Sequence, residues 1–236
     1  MATFVQTNVG LYWGGYSLAS SFNAIALNLG NSPQDDTVYG DTTVSNASGL
    51  STVTLEAEGF WQSATDAVLQ SSLGSDDTVV SVTPVDQSAG SPSIFSKYTT
   101  ATYNPISAGT VGSMMGFSLS AEGRGEKSVS GEILVVPATY TSSSETVTNA
   151  SIGAVSATQS VYSALHVTAA SGTLDVIVES SPNSGWGSES TRITHTQFTA
   201  IGAEMKSTAG AITDAYWRVK WTLSGSFDFI VSLGII

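Results

Sequence analysis

Apolar and polar residues alternate with a period of two along much of this chain. The clearest case is LSTVTLEAEGFW (residues 50–61), in which every second residue from Val53 to Ala57 is apolar and the residues between them are Thr or Glu. Because successive side chains of a strand point to opposite faces, this pattern predicts a half-buried strand with one wet, acidic face. Similar alternation, or a strand-like composition, predicts further strands at about 4–13, 22–29, 78–85, 93–103, 117–121 and 129–135.

The last third of the chain has the same character, with strand-like runs at 161–167, 174–178, 216–223 and 227–235. One short helix is expected from Thr65 to Leu73, with Thr65 capping its start and Gly74 ending it. Short strands separated by Gly and Ser turns are typical of antiparallel sandwiches. The chain is therefore predicted to be all-β, with an N-terminal β-barrel or sandwich carrying the helix and a C-terminal antiparallel β-sandwich.

A Ser/Thr-rich stretch, ATYTSSSETVTNAS, lacks core residues and marks the predicted domain boundary. We expect one domain over residues 1–137, a linker over 138–152 and a second domain over 153–236. Charged residues make up only 11% of the chain, against roughly 25% in typical soluble proteins. Such a low charge density suits a protein whose surface is largely covered by copies of itself.

Charge is distributed unevenly along the chain. Residues 1–96 contain nine of the 19 carboxylates and no Lys or Arg; the first cation is Lys97. Affinity for nucleic acid comes mainly from cations that neutralise phosphates, so this stretch is not a phosphate-binding surface. It is instead suited to a surface past which DNA moves without adhering. No run approaches the roughly 20 apolar residues of a membrane span, and no membrane association is expected.

No catalytic, metal or cofactor site is predicted. His166 and His195 stand alone in strand-like runs, and His166 is out of phase with its apolar neighbours, so it is expected to face solvent or the rim of a sheet. The chain contains no Cys and no G-x-S-x-G elbow, which excludes thiol chemistry and gives no basis for a serine nucleophile. The protein is not expected to be an enzyme.

Three features have a chemical and a plainer interpretation. Glu56 and Glu58, roughly 7 Å apart on one strand face, have a spacing suited to a glycosidase pair, but such pairs come as a rule from different strands, so a solvated face is preferred. The acidic runs at 35–41 and 76–77 lack the spacing of a recognised calcium loop and are better explained as solvated turns. Trp186, in the glycine-rich loop PNSGWGSES, either stacks on sugars or folds over the sandwich edge.

Several stretches resemble a known family. TNVGLYWGGYSLASSFNAIALNLG, DDTVYGDTT, LSTVTLEAEGFW and TYNPISAGTVGSMMGFSLSAEGRG are similar to segments of the tail-tube proteins of long-tailed bacteriophages. The last 90 residues resemble a β-sandwich module that is appended to many phage virion proteins. The basic residues that usually follow G-D-T in the family are absent from this chain, where Val44, Ser45 and Asn46 stand.

The resemblance implies a structural virion protein, assembled in the host cytoplasm, whose copies form hexameric rings. These rings would stack on one another into a tail tube and contact other virion proteins. DNA would pass through this tube without specific binding, and no cofactor is implied. Glu56 and Glu58 would face the lumen. Residues 35–49 would form an inter-subunit arm, in which Asp35, Asp36, Tyr39, Asp41 and Gly49 are expected to contact a neighbouring copy.

Two other functions fit the same sequence. A capsid decoration or cement protein would also combine a barrel with a sandwich, and would form a trimer. A carbohydrate-binding adhesion module would use Trp186 as its surface aromatic residue. The cement protein predicts a stable trimer that stays discrete, the adhesion module predicts that Trp186→Ala abolishes glycan binding, and the tail-tube protein predicts rings and tubes.

Overall fold

A computed structural model describes residues 9–40, 42–47, 49–106, 111–125, 127–146 and 152–236. Over these residues the protein is all-β with one short helix, as predicted. The helix, α1, is Ser63–Ser72. The strands are β1 Gly10–Trp13, β2 Tyr16–Ser17, β3 Phe22–Asn31, β4 Gln34–Asp35, β5 Asn46–Ala47, β6 Ser51–Phe60, β7 Thr78–Thr83, β8 Pro92–Asn104, β9 Gly116–Gly123, β10 Val129–Tyr140, β11 Ser144–Glu145, β12 Ser160–Ser181, β13 Ser190–Thr194, β14 Gly202–Ala209 and β15 Tyr216–Ile235. No helix in the described part of the chain is long and apolar enough to cross a membrane.

The helix begins two residues earlier than the sequence predicts. Gln62 occupies the N-cap position and makes no capping side-chain hydrogen bond. Thr65 is buried in the first turn, where its hydroxyl lies 2.6 Å from the hydroxyl of Ser21. Thr65 therefore joins the helix to Ser21, which directly precedes β3, and does not cap the helix.

The chain divides into two compact units. The inserted unit comprises Ser21–Asp77 and Lys97–Ser128, and the main unit comprises the described residues before Ser21, Thr78–Ser96 and those from Val129 onward. The chain therefore enters the inserted unit twice, and β8 contributes residues to both units.

The inserted unit contains one antiparallel sheet in the order β3–β6–β9–β8. Its apolar face is buried, with Leu55, Phe117 and Leu69 of the helix among the enclosed side chains. In the single chain this sheet is open, because β3 and β8 are not paired with each other. The predicted barrel or sandwich is thus a four-stranded open sheet with a helix.

The main unit is built around two long strands, β12 and β15, which pair from Val161–Ile235 to Ser181–Tyr216. The strand order is β13–β12–β15–β10–β8–β7–β1–β2, and β14 also pairs with β12. Gly172 and Gly225 face each other near the middle of the pair with φ values of +109° and +95°. A single apolar core contains side chains from both halves of β12 and of β15, so the ribbon bends there and folds into two layers.

The predicted boundary at 138–152 differs from this division. Ala138–Tyr140 end β10 and pair with Phe227–Phe229 of β15, while Ser144 and Glu145 pair with the same strand at Trp221 and Lys220. The Tyr140 ring packs against Trp221 and Phe229, at centroid distances of 5.0 and 4.7 Å. The Ser and Thr residues belong largely to strands whose partners lie far along the chain, and residues 147–151 lie outside the described part.

Candidate functional site

The solvent-facing side of the inserted sheet forms a regular polar surface. Cross-strand pairing places its side chains in three rows, each running through β3, β6, β9 and β8. The rows are Ala24–Glu58–Ser118–Asn104, Ala26–Glu56–Ser120–Thr102 and Asn28–Thr54–Glu122–Thr99. We call these twelve residues the polar face; none of them is buried. Every member is small, hydroxylated, an amide or a carboxylate.

Both carboxylates predicted for this surface lie on it. Glu56 and Glu58 are exposed, whereas Val53, Leu55 and Ala57 between and beside them on the strand are buried. The structure adds Glu122, which sits diagonally from Glu56 across the β6–β9 pair at about 7–8 Å. The alternation Phe117, Leu119, Ala121 already placed Glu122 on a polar side, but only the register between β6 and β9 brings the three acids together.

No member of the polar face is Lys or Arg. Arg124 directly follows β9. Its guanidinium is ion-paired with Asp76, and its Nε lies 3.5 Å from Oδ1 of Asp77. The acidic run at 76–77 is exposed, as expected of a solvated turn, and both of its carboxylates are ion-paired with Arg124. Among the described residues, no group of three or more potential ligands could hold a metal ion. Beyond the third row, Lys97 of β8 and Arg124 continue the same alternation and are joined by a backbone hydrogen bond of 2.9 Å. The twelve residues of the polar face are therefore anionic, with hydroxyls between their charges, and two cations lie next to the row that contains Glu122.

The predicted arm continues the β3–β6 hairpin beyond the sheet. Gln34 pairs with Ala47 and Asp35 with Asn46. Hydrogen bonds from the Thr37 side chain and backbone lower the pKa of the Asp35 carboxyl. A short ladder therefore joins the two ends of the arm, from Gln34 to Thr37 on one side and from Ser45 to Ala47 on the other.

The arm exposes apolar side chains. Tyr39 is fully exposed, and Val38 and Val44 are each more than 60% exposed, as is Leu50 directly after the arm. Asp36 donates its backbone N–H to Ser45, and Gly49 sits so close to the Ser32 carbonyl that a Cβ would approach it to 1.8 Å. Asp41 lies outside the described residues.

Strand β3 is a border of the inserted sheet and, in the described part of the chain, pairs only with β6. Its ten residues, FNAIALNLGN, include no charge and no proline. Ile25 and Leu27 are half-buried, and Leu29 is 59% exposed. Proteins usually protect long edges with charges, proline or short strands. β3 has only a bulge near Phe22, so it is an open site for another strand.

A second apolar surface lies at the opposite end of β6. Phe60 and Trp61 are 40% and 36% exposed, and Met114 and Met115 are 69% and 45% exposed. The Trp61 backbone N–H donates to the Met115 carbonyl at 2.9 Å, which joins the two segments. The inserted unit thus exposes apolar residues at both ends of its strands as well as along one edge.

Trp186 is half-buried in the main unit, where its ring centroid lies 4.2 Å from the Arg218 guanidinium carbon. Arg218 Nε also bonds Glu179 at 2.7 Å, and its terminal nitrogens lie 3.0 Å from Glu145 and 3.5 Å from Glu189. Trp186 was predicted as a surface aromatic residue, and one face of its ring is therefore in contact with Arg218 of the same chain. No local pattern signals this cluster, because its members come from segments far apart in the chain.

The main unit contains a hydrogen-bonded chain in the order serine, histidine, carboxylate. His195 Nε2 lies 3.0 Å from the Ser163 hydroxyl, and Nδ1 lies 3.0 Å from the Glu204 carboxylate. Burial opposes ionisation of Glu204, but hydrogen bonds from His195, Thr196 and Lys206 lower its pKa. This order resembles a hydrolase triad. Ser163 is fully buried, however, so no substrate carbonyl reaches its hydroxyl in this structure.

The expectation that His166 faces solvent is wrong, because both faces of β12 are covered at this point. His166 is 1% exposed, with Nε2 2.8 Å from the Ser81 hydroxyl and its ring 5.6 Å from that of Tyr12. Its Nδ1 has no hydrogen-bond partner among the described residues. Burial lowers the pKa of His166 to about 3.

This burial predicts acid sensitivity. The unfolded chain binds the His166 proton near pH 6.5, whereas the folded chain binds it only near pH 3. Between these values the unfolded state holds more protons, so stability falls as the pH falls. Going from pH 7 to pH 5 should cost about 2 kcal/mol of unfolding free energy. Chemical denaturation at both pH values checks this; His166→Gln should remove most of the difference, and an unchanged difference would contradict it.

No protein-family model and no curated protein matches the sequence. Among solved structures, the tail of an empty gene transfer agent particle, refined with C6 symmetry, is 11% identical with a TM-score of 0.36, covering 45% of this chain and 79% of that one. SPP1 Dit (gp 19.1), described as a hub adsorption apparatus protein, is 9% identical with a TM-score of 0.38, covering 98% and 100%. The baseplate of the anti-feeding prophage is 12% identical with a TM-score of 0.34, covering 55% of this chain and 97% of that one. TM-scores below 0.5 do not establish a shared fold.

Proposed function

We propose that this protein is a structural component of a phage tail, and that its copies join edge to edge into rings whose polar faces line a passage for DNA. The observation that carries the proposal is the combination of the anionic polar face with the unprotected edge of β3. The resemblance of the sequence to tail-tube proteins implies the same function, with six copies per ring.

The topology supports joining between different edges of neighbouring copies. Adjacent strands of the inserted sheet are antiparallel throughout, and there are four of them, so β3 and β8 run in opposite directions. β3 of one copy laid beside residues 101–104 of β8 in the next copy would make another antiparallel pair, next to Thr100, which is bridged by Leu73 of its own chain. Such a head-to-tail contact closes into a ring when the rotation permits, and it keeps every polar face on the same side.

The charges on the polar face suit passage of a polyanion. Each copy contributes Glu56, Glu58 and Glu122, and no cation, to this surface. Phosphates gain affinity from Lys and Arg, and they are repelled by carboxylates within about one Debye length, roughly 8 Å at physiological salt. A wall of carboxylates and hydroxyls therefore neither binds DNA nor offers base-specific contacts.

The two apolar ends suit stacking of rings. The arm, with Tyr39 and Val44 exposed, lies at one end of β6, and the surface formed by Phe60, Trp61 and Met115 lies at the other. Ten strand residues span about 33 Å. A copy displaced along the strand direction by about this length would bring one apolar end against the other.

The experiment uses the absence of cysteine from the chain. Glu58→Cys is assembled, imaged by electron microscopy, and treated with a small maleimide or a bulky polymer-linked maleimide. We expect six-fold rings or tubes in which Cys at position 58 reacts with the small reagent but is protected from the bulky one. Monomers should react with both.

Thr222→Cys, at an exposed strand position of the main unit, is the matched control and should react with both reagents before and after assembly. Equal access of the bulky reagent to position 58 in rings would exclude a lumen-facing polar face. A discrete trimer would favour the cement protein, and a monomer that binds glycans through Trp186 would favour the adhesion module.

A further inference from the structure

A cleft of about 460 Å³ opens in the main unit where β10 meets β15. Gly131 and Gly234 are direct neighbours across this pair, so its floor is partly bare backbone. The apolar residues Pro92, Ile152, Leu233 and Ile235 line it, and Glu132 is the only ionisable group among the described lining residues. The cleft lies in a different unit from the polar face and has no part in the proposed passage.

Glu132 is half-buried, beside Leu233 on one side and Pro92 on the other. Among the described residues its carboxylate has neither an ion pair nor a hydrogen-bond partner. Burial raises the pKa of Glu132, with no compensating interaction. The Glu132 carboxylate is partly removed from water without gaining a partner, and a hydrogen-bond donor that enters the cleft would offset this cost.

Other enclosed carboxylates of the main unit have such donors. Glu179 is held by Arg218 at 2.7 Å. Asp214 is held by Arg192 at 3.0 Å. The environment of Glu132 differs because the other described residues that line the cleft are apolar residues, glycines and Ser130, none of which is a cation.

We propose that this cleft binds a cationic group carried on a short aliphatic stem, as at the end of a lysine or arginine side chain. Pro92, Ile152 and Ile235 would pack against the methylenes, while the Glu132 carboxylate would accept hydrogen bonds from the charged head. Charge-assisted hydrogen bonds of this kind are stronger than neutral ones, and long basic side chains commonly pack their stems on apolar surface. An alcohol of the same length would gain only the packing, and an anion would be repelled.

The test is a titration of the full chain with n-butylammonium, followed through the backbone amide NMR signals of Gly131, Glu132 and Gly234. We expect saturable shifts confined to the cleft, with n-butanol binding at least about tenfold more weakly and butyrate not binding. Glu132→Gln, which keeps the size of the side chain, should weaken butylammonium binding about tenfold or more, with the fold unchanged in the remaining amide signals.

A second probe distinguishes the source of the cation. Nα-acetyl-lysine methylamide presents the same ammonium on a peptide backbone. Binding as strong as that of butylammonium identifies a side chain of a partner protein, and much weaker binding identifies a free amine. Equal binding of butanol and butylammonium, no saturable shift, or an unchanged affinity of Glu132→Gln would overturn the proposal. None of these outcomes depends on ring assembly, so the cleft and the proposed passage fail or stand separately.

Discussion

Replacing Arg218 with methionine is expected to lower the free energy of unfolding by about 3–5 kcal/mol. The Arg218 and Glu179 side chains are each only 7% exposed, and they bond at 2.7 Å. Methionine fills much of the same space but leaves the Glu179 carboxylate buried without its cation. It also removes the cation that lies over the Trp186 ring. Guanidinium denaturation, monitored by near-ultraviolet circular dichroism, measures the loss.

Two variants separate the lost ion pair from lost packing. Arg124→Met removes a cation from an ion pair whose side chains are 46% and 54% exposed, so it should cost less than about 1 kcal/mol. Combining Arg218→Met with Glu179→Leu removes both buried charges and should recover most of the stability. If the double variant is as unstable as Arg218→Met alone, the loss comes from packing and not from the unpaired Glu179 carboxylate.

The local alternation of apolar and polar residues predicted the strands well, because it indicates which face of a strand is buried. The burial of Val53, Leu55 and Ala57 and the exposure of Glu56 and Glu58 follow from a period of two. The all-β class followed in the same way, whereas the single helix was predicted from its cap and glycine signals and begins two residues earlier than they indicate. What alternation leaves open is the partner of each strand, since pairing is a property of residues far apart in the chain.

Two predictions, the linker after Pro137 and the exposure of His166, differ from the structure because each depends on residues far apart in the chain. The stretch after Pro137 resembles a linker because Ser and Thr are frequent there, yet Tyr140 and Ser144 pair with β15, near the other end of the main unit's sequence. His166 was expected to be exposed because its neighbours Leu165 and Val167 are apolar, yet β12 is covered on both faces and buries all three. In each case a tertiary contact, invisible in a local window, decided the outcome.

A charge on the edge of β3 should prevent copies of the chain from joining. Leu29→Lys is expected to abolish assembly into rings and tubes while changing the unfolding free energy by less than about 0.5 kcal/mol. Leu29 is 59% exposed in the single chain, so folding loses little. In the ring it would lie against the next copy, where a lysine on an edge strand opposes strand addition. Analytical ultracentrifugation measures the loss of assembly.

The control places the same charge on an exposed strand position of the main unit. Thr222 is exposed on β15, and Thr222→Lys should assemble as the unmodified chain does. Leu29→Thr, which removes the apolar side chain without adding charge, should weaken assembly less than Leu29→Lys. Normal rings from Leu29→Lys would show that the β3 edge is not part of the contact.

A mixture of two defective variants tests which edges meet. Thr102 is exposed on β8, at the other border of the inserted sheet, and Thr102→Lys should also prevent ring formation. Each variant keeps one intact edge: β8 in Leu29→Lys and β3 in Thr102→Lys. Mixed, they should form one-to-one dimers and nothing larger, because both outer edges of such a dimer carry a lysine. If β3 instead paired with β3 of another copy, Thr102→Lys would dimerise alone and the mixture would add no new species.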